Sequence, residues 1–152
     1  MTSSDHKRFI RQCYALAEEA VQNGDHPFGA LLVKDGEVVL TAVNTIISDN
    51  DETRHAEINL VSEAGRRFKP QSLAHCTLYT STEPCAMCTG AIYATGISTI
   101  VFGCSAKALY DLVGSDYSIP CRDILALGRR ETAVIGPILQ EEGLQNHRDY
   151  WI

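Results

Sequence analysis

The sequence predicts an α/β fold built on a mixed sheet, and three observations carry that prediction. Strand-like and helix-like stretches alternate along the whole chain. One early pair of strand-like stretches is joined by Asp35-Gly36, a strong two-residue hairpin signal that makes those strands antiparallel. No internal repeat, linker or low-complexity segment divides the 152 residues, so they form a single domain, 1–152, long enough to bury a core. Helices are therefore expected on both faces of the sheet.

The first helix is expected from about Ser4 to Asn23, because Phe9, Ile10, Cys13, Tyr14, Leu16, Ala17, Ala20 and Val21 recur at helical spacing. Ser4 is its expected N-cap, and Gly24 supplies a stop that tolerates a left-handed backbone. His26-Pro27 turns the chain into strand one, Phe28 to Lys34, and strand two is Glu37 to Val43. The polar run Ile47 to Thr53 reads as a loop, with the second helix starting at Thr53 and burying Ile58, Leu60, Val61 and Ala64. Phe68-Lys69-Pro70 is a connector and Cys76 to Thr80 is strand three. Pro84 is placed to open the third helix, which runs to about Ala94 and stops before Gly96. Thr99 to Gly103 is strand four. Short helices follow near 106–112 and 122–127, flanking a loop through 116–120. Thr132 to Ile135 is strand five, and Pro137 is expected to open a final helix interrupted near Gly143.

Composition narrows the function. The hydrophobic and charged fractions are those of a soluble globular protein, and no apolar run approaches a membrane span. The polar start, Met1 to Arg8, does not read as a signal peptide, so a cytoplasmic protein is expected. Two of the six cysteines form a C-x-x-C pair. The others, Cys13, Cys76, Cys104 and Cys121, lie in apolar surroundings and read as buried free thiols. The net charge of −6 and the small size of the basic clusters (Lys7-Arg8, Arg66-Arg67-Lys69, Arg129-Arg130) favour a small neutral partner over a nucleic acid.

The chemistry is concentrated between Arg54 and Cys88. His55, Cys85 and Cys88 supply three of the four positions of a tetrahedral Zn2+ site, leaving the fourth to water, which is the pattern of a catalytic zinc. Zinc held in this way brings the pKa of its water towards neutrality. Glu57, two residues from the histidine, is placed to take a proton from that water and return it to the substrate's ring nitrogen and leaving ammonia. Starting two helices at these ligands has a physical use, because helix N-termini carry partial positive charge that favours thiolates. Cysteines at i and i+3 also point the same way. The plainer alternative is a structural zinc knuckle, for which His75 and Cys76 are the only fourth-ligand candidates nearby.

His55-Ala56-Glu57 followed by Pro84-Cys85-Ala86-Met87-Cys88 resembles the H-x-E…P-C-x-x-C signature of zinc-dependent nucleobase deaminases. With Pro27 to Ala30, Asn44, Leu78 to Thr80 and Gly90 to Ile92, the chain resembles the cytidine/deoxycytidylate deaminase superfamily from about Pro27 to Gly103. It is most similar to the branch of guanine deaminases, fungal cytosine deaminase and tRNA adenosine deaminases. The resemblance implies a three-layer α/β/α sandwich around a five-stranded mixed sheet, a cytidine deaminase-like fold, and a homodimer. It also implies that Asn44 hydrogen-bonds the substrate ring, Phe28 stacks near it and the Ala56 backbone touches its reacting edge. As ordinary structural features, Phe28 would be core packing and Asn44 a turn cap.

Substrate is expected to be written in the C-terminal third, where the chain departs from each branch. Guanine deaminases carry a Gly-Phe-Asp-acid segment whose nearest match is Gly114-Ser115-Asp116-Tyr117, and tend to have tryptophan where Ala94 stands. Fungal cytosine deaminase ends with a tryptophan over its base, a part that Trp151 could play or that simple docking of a terminal residue would explain. The tRNA editors end in a basic helix, unlike residues 140–152. His26, His75 and His147 have no motif support and are expected to be satisfied surface or turn residues. The leading expectation is deamination of a free purine base or nucleoside, guanine first. Cytosine deamination, tRNA adenosine editing and a non-catalytic zinc-binding partner subunit are the alternatives.

Overall fold

The structure is a computed structural model and describes residues 1–116 and 118–152. Helix α1 (Ser3–Gln22) leads to strands β1 (Gly29–Lys34) and β2 (Glu37–Val43), then α2 (Ile46–Asp49), α3 (Ala56–Arg67) and α4 (Pro70–Leu73). Strand β3 (Thr77–Thr82), helix α5 (Ala86–Thr95), strand β4 (Thr99–Cys104) and helices α6 (Ala106–Val113) and α7 (Cys121–Leu125) follow. Strand β5 (Ala133–Ile135) and helix α8 (Gln140–Trp151) complete the chain. The sheet order is β2-β1-β3-β4-β5, with β1 antiparallel to both β2 and β3 and the β3, β4, β5 run parallel. The expected five-stranded mixed sheet is present. Asp35 and Gly36 both take positive φ, the geometry that a tight two-residue hairpin requires.

Strand periodicity divides the core in two. Leu31, Val33, Tyr79 and Val101 point to one face and pack with Phe9, Ile10, Cys13 and Tyr14 of α1. Ala30, Leu32, Leu78 and Ile100 point to the other and pack with Leu60, Val61 and Ala64 of α3 and Ile92 of α5. Helices thus cover both faces, giving the three-layer α/β/α sandwich. All six cysteines are free thiols. Among the described residues, no helix is long and apolar enough to cross a membrane.

Several element boundaries differ from expectation for local reasons. Thr2, not Ser4, caps α1: its side chain accepts from Asp5 N–H at 3.1 Å, while Asp5 accepts from Thr2 N–H at 3.0 Å, a reciprocal capping box. Thr53 does not start α3, because its N–H and hydroxyl both turn back to Asp51 Oδ1, and His55 is the N-cap instead. Cys85 caps α5, so Pro84 stands just outside it. The stretches expected as loop and connector each hold one helical turn, α2 and α4.

Pro137 does not open the final helix. It follows a cis Gly136–Pro137 bond, and α8 begins three residues later, after Leu139 at φ 53. Gly143 does not interrupt that helix either. A Cβ at Gly143 would lie 2.7–2.8 Å from the Tyr14 ring and hydroxyl, and one at Gly103 would also strike Tyr14. Tyr14 sits between these two glycines and donates to the carbonyls of Ile138 and Leu139, each at 3.0 Å. Both glycines are there for close approach, which lets α8 pack on α1 and β4.

Candidate active site

The ends of the sheet and helices bring the motif together. His55 precedes the first turn of α3, Cys85 precedes the first turn of α5, and Cys88 lies within that turn. The Nδ1 of His55 is 3.4 Å from Cys88 Sγ and 3.6 Å from Cys85 Sγ, and the three ligand atoms lie within 4.8 Å of one another. Tetrahedral zinc with usual Zn–N and Zn–S lengths needs N and S about 3.6 Å apart, so the donor set fits that ion in both chemistry and spacing. Among the described residues no fourth donor joins the set. Cys76, a possible fourth ligand, is directed to the Ser72 carbonyl instead, and His75 is exposed.

The electrostatics are those of a buried acid beside thiol groups. Hydrogen bonding from Cys88, with help from His55, brings the Cys85 thiol down to about 4, so Cys85 is a thiolate. Cys88 moves up, because it donates to Cys85 and is buried. Glu57 is buried, and burial foremost, with the Cys85 thiolate, pushes its carboxyl up to about 7. A dication at the three donors adds opposite charge and acts against that rise.

A cavity opens over this cluster. His55, Glu57 and Cys85 form its floor; Phe28, Asn44 and Ile46 form one wall, and Leu109, Tyr110 and Ile119 another. Asn44 is buried, and its Oδ1 accepts from Ile46 N–H at 3.0 Å. That bond fixes the amide's orientation, and among the described residues Nδ2 has no partner. Ala56 is the buried first residue of α3, between two residues of the floor. Among the described residues, no lysine or arginine lines the cavity.

Two of the expected site residues lie elsewhere. Asp116 is exposed on the loop after α6, outside the cavity walls, although Tyr110 and Ile119 on either side of that loop belong to them. Tyr117 of the same segment lies outside the described residues. Trp151 stacks on His26 at 5.3 Å between ring centroids and is not among the described residues that line the cavity. His26 is not a wall residue; its Nδ1 meets the Tyr150 hydroxyl at 2.7 Å and so docks the end of α8.

Sequence reasoning missed three residues. Glu83 accepts from Ala106 N–H at 3.1 Å with one oxygen and from Cys121 N–H at 2.8 Å with the other, which ties α6 and α7 to the zinc motif. Thr82 lines the cavity, and His147, expected at a surface or turn, is buried behind it. Adjacency to Pro84 was the available signal for Glu83 and Thr82. Nothing local marks His147, which reaches the site only through the packing of α8.

Comparison with known proteins agrees with this geometry. The model of the cytidine and deoxycytidylate deaminase zinc-binding region matches residues 3–104. A probable cytosine deaminase from Schizosaccharomyces pombe is 34% identical over 151 residues, covering 94% of this chain and 90% of the relative. A tRNA-specific adenosine deaminase from Buchnera aphidicola is 41% identical over 109 residues, covering 72% of each. The structure of a guanine deaminase from Nitrosomonas europaea superposes with a TM-score of 0.81, covering 95% of this chain and 83% of that one at 21% identity, a likeness of fold. The chain belongs to the cytidine and deoxycytidylate deaminase family, and it is a deaminase of that superfamily.

Proposed function

We propose that this deaminase acts on a free nucleobase, with guanine the first candidate. The observation that carries the small-substrate reading is the cavity wall. It is mostly apolar, with Asn44, Thr82 and Glu57 among its polar groups, and among the described residues it holds none of the lysine or arginine that a phosphate backbone would need. Of the basic clusters, Arg130 is held against Tyr93, with its guanidinium 4.2 Å from the ring centroid, and Arg8 pairs with Asp5.

In this reading His55, Cys85 and Cys88 hold zinc, which when bound activates a water for attack on the ring carbon bearing the amine. Glu57 would take one proton from that water and deliver it to the ring nitrogen, then carry the remaining hydroxyl proton to the amine, which departs as ammonia as the ring carbonyl forms. Its carboxyl is buried and pushed towards neutrality, which suits a group that must accept and donate within one turnover. Asn44 offers its free Nδ2 as a donor to the ring, Phe28 packs beside it, and the Ala56 backbone approaches the reacting edge. Guanine is put before cytosine because Trp151, the counterpart of a terminal tryptophan over a cytosine base, is not among the described residues that line the cavity. Cytosine is the second reading, supported by the S. pombe relative, whose match runs through the C-terminal third.

Ammonia release from zinc-loaded protein, with Glu57→Ala as the blank, tests both readings. The panel holds guanine, guanosine, adenine, adenosine, cytosine, cytidine and dCMP. Turnover of guanine alone is the expected result. Exclusive turnover of cytosine would transfer the assignment to the second reading. Silence on every base, together with editing of an adenosine in folded tRNA, would overturn the small-substrate reading.

A further inference from the structure

A chain of hydrogen bonds runs from the end of α8 into the cavity wall. The Trp151 indole Nε1–H lies 3.1 Å from His147 Nδ1, and His147 Nε2 lies 2.8 Å from Thr82 Oγ1. Both ring nitrogens, and not ring carbons, face these partners. An indole N–H can only donate, so His147 Nδ1 must accept, and a neutral imidazole must then carry its proton on Nε2. Burial favours the neutral ring, bringing His147 down to about 4. His147 also packs against Phe28, another wall residue, at 5.3 Å between ring centroids.

The consequence falls on Thr82. Its oxygen accepts from His147 Nε2–H, so its own hydroxyl hydrogen is free to go elsewhere. The neighbouring Thr80 hydroxyl bonds the Thr82 carbonyl and makes no claim on that hydroxyl. Glu83, the nearest acid in sequence, has both oxygens engaged by Ala106 and Cys121. Thr82 itself lines the cavity.

We propose that Thr82 is a specificity-determining hydrogen-bond donor to the substrate ring, held in its donor role by His147, with Trp151 selecting the His147 tautomer. His147 and Trp151 are positioning residues in this scheme. The ligand group recognised is a heterocycle acceptor, a carbonyl oxygen or an unprotonated ring nitrogen. A base that presents a donor N–H at that place meets a second donor and is rejected. Trp151 thus influences substrate choice from behind the wall without covering the base. The proposal rests on the deaminase acting on a small base, and its test separates the two claims.

Thr82→Val keeps the shape and removes the hydroxyl, whereas Thr82→Ser keeps the hydroxyl. Both are compared with wild type on the preferred base of the panel, with zinc content measured in the same samples. The expected result for Thr82→Val is a loss of kcat/KM of about ten-fold or more, larger in KM than in kcat, with zinc retained. Thr82→Ser should stay within about three-fold of wild type, since the donor survives. Equal activity of Thr82→Val and wild type, or equal loss in both variants, would overturn the proposal. The His147 tautomer is read separately by nitrogen-15 NMR of the zinc-loaded protein. Protonation at Nε2 is expected in wild type, with a mixture of tautomers in Trp151→Phe. A wild-type ring protonated at Nδ1 would overturn the scheme even if no base on the panel is turned over.

Discussion

The two halves of the active cavity are built in different ways. The floor comes from residues 55–88, where His55, Glu57, Cys85 and Cys88 are set by the starts of α3 and α5. The upper wall comes from Ala106, Leu109, Tyr110 and Ile119, with α8 behind it, and is placed by contacts between elements far apart in sequence. The floor needs atoms at fixed distances from one metal, which short motif spacing supplies. The wall needs only a shape and a few polar groups, which many sequences supply. Chemistry is therefore shared across the family, while substrate choice is free to vary.

The sharpest way to break the floor without touching the wall is Glu57→Gln. Turnover should fall about a thousand-fold, within the range for loss of a general acid–base. Zinc content should be unchanged, and thermal stability no lower, because burial disfavours the charge that is removed. Persistent turnover would mean that another group moves the proton. Cys88→Ser breaks the floor differently. Zinc occupancy, measured by atomic emission on purified protein, should fall at least about ten-fold, and the melting temperature with it. Full occupancy would show that the ligand set is wrong.

The same contrast governs what could be read in advance. The hairpin, the alternation of strands and helices and the two-faced core follow from local signals, so the sandwich was legible. So was the clustering of His55, Cys85 and Cys88 beside Glu57, because their spacing is itself the signal. The start of α8 was not, since Pro137 and Gly143 look like helix punctuation until Tyr14 is seen packed between Gly103 and Gly143. His147 was illegible for the same reason: only tertiary packing brings it to Thr82, 65 residues away in sequence. Glu83 sat beside the motif, but its bonds to Ala106 and Cys121 join segments that no local pattern pairs.

Two smaller perturbations sharpen the comparison from the wall side. Glu83→Ala removes the acceptor of two buried backbone N–H groups, at about 1–3 kcal/mol for each group left unsatisfied. Chemical denaturation should register that loss. KM should rise more than kcat falls, because α6 and Ile119 lose their tie to the motif. Gly143→Ala places a Cβ against Tyr14 and should cost about 1–3 kcal/mol as an overpacked contact. Zinc content should be unchanged in both variants. A loss of zinc in either would mean that floor and wall are not separate units.

The central claim is that three protein ligands hold the metal and leave one position open for the reacting water. X-ray absorption spectroscopy at the zinc edge, on the purified wild-type protein, tests it most directly. The account predicts two sulfur ligands, one imidazole nitrogen and one further light atom that is replaced when a tight-binding substrate analogue is added. A third sulfur or a second imidazole in the coordination sphere would contradict it and make the site a closed, structural one.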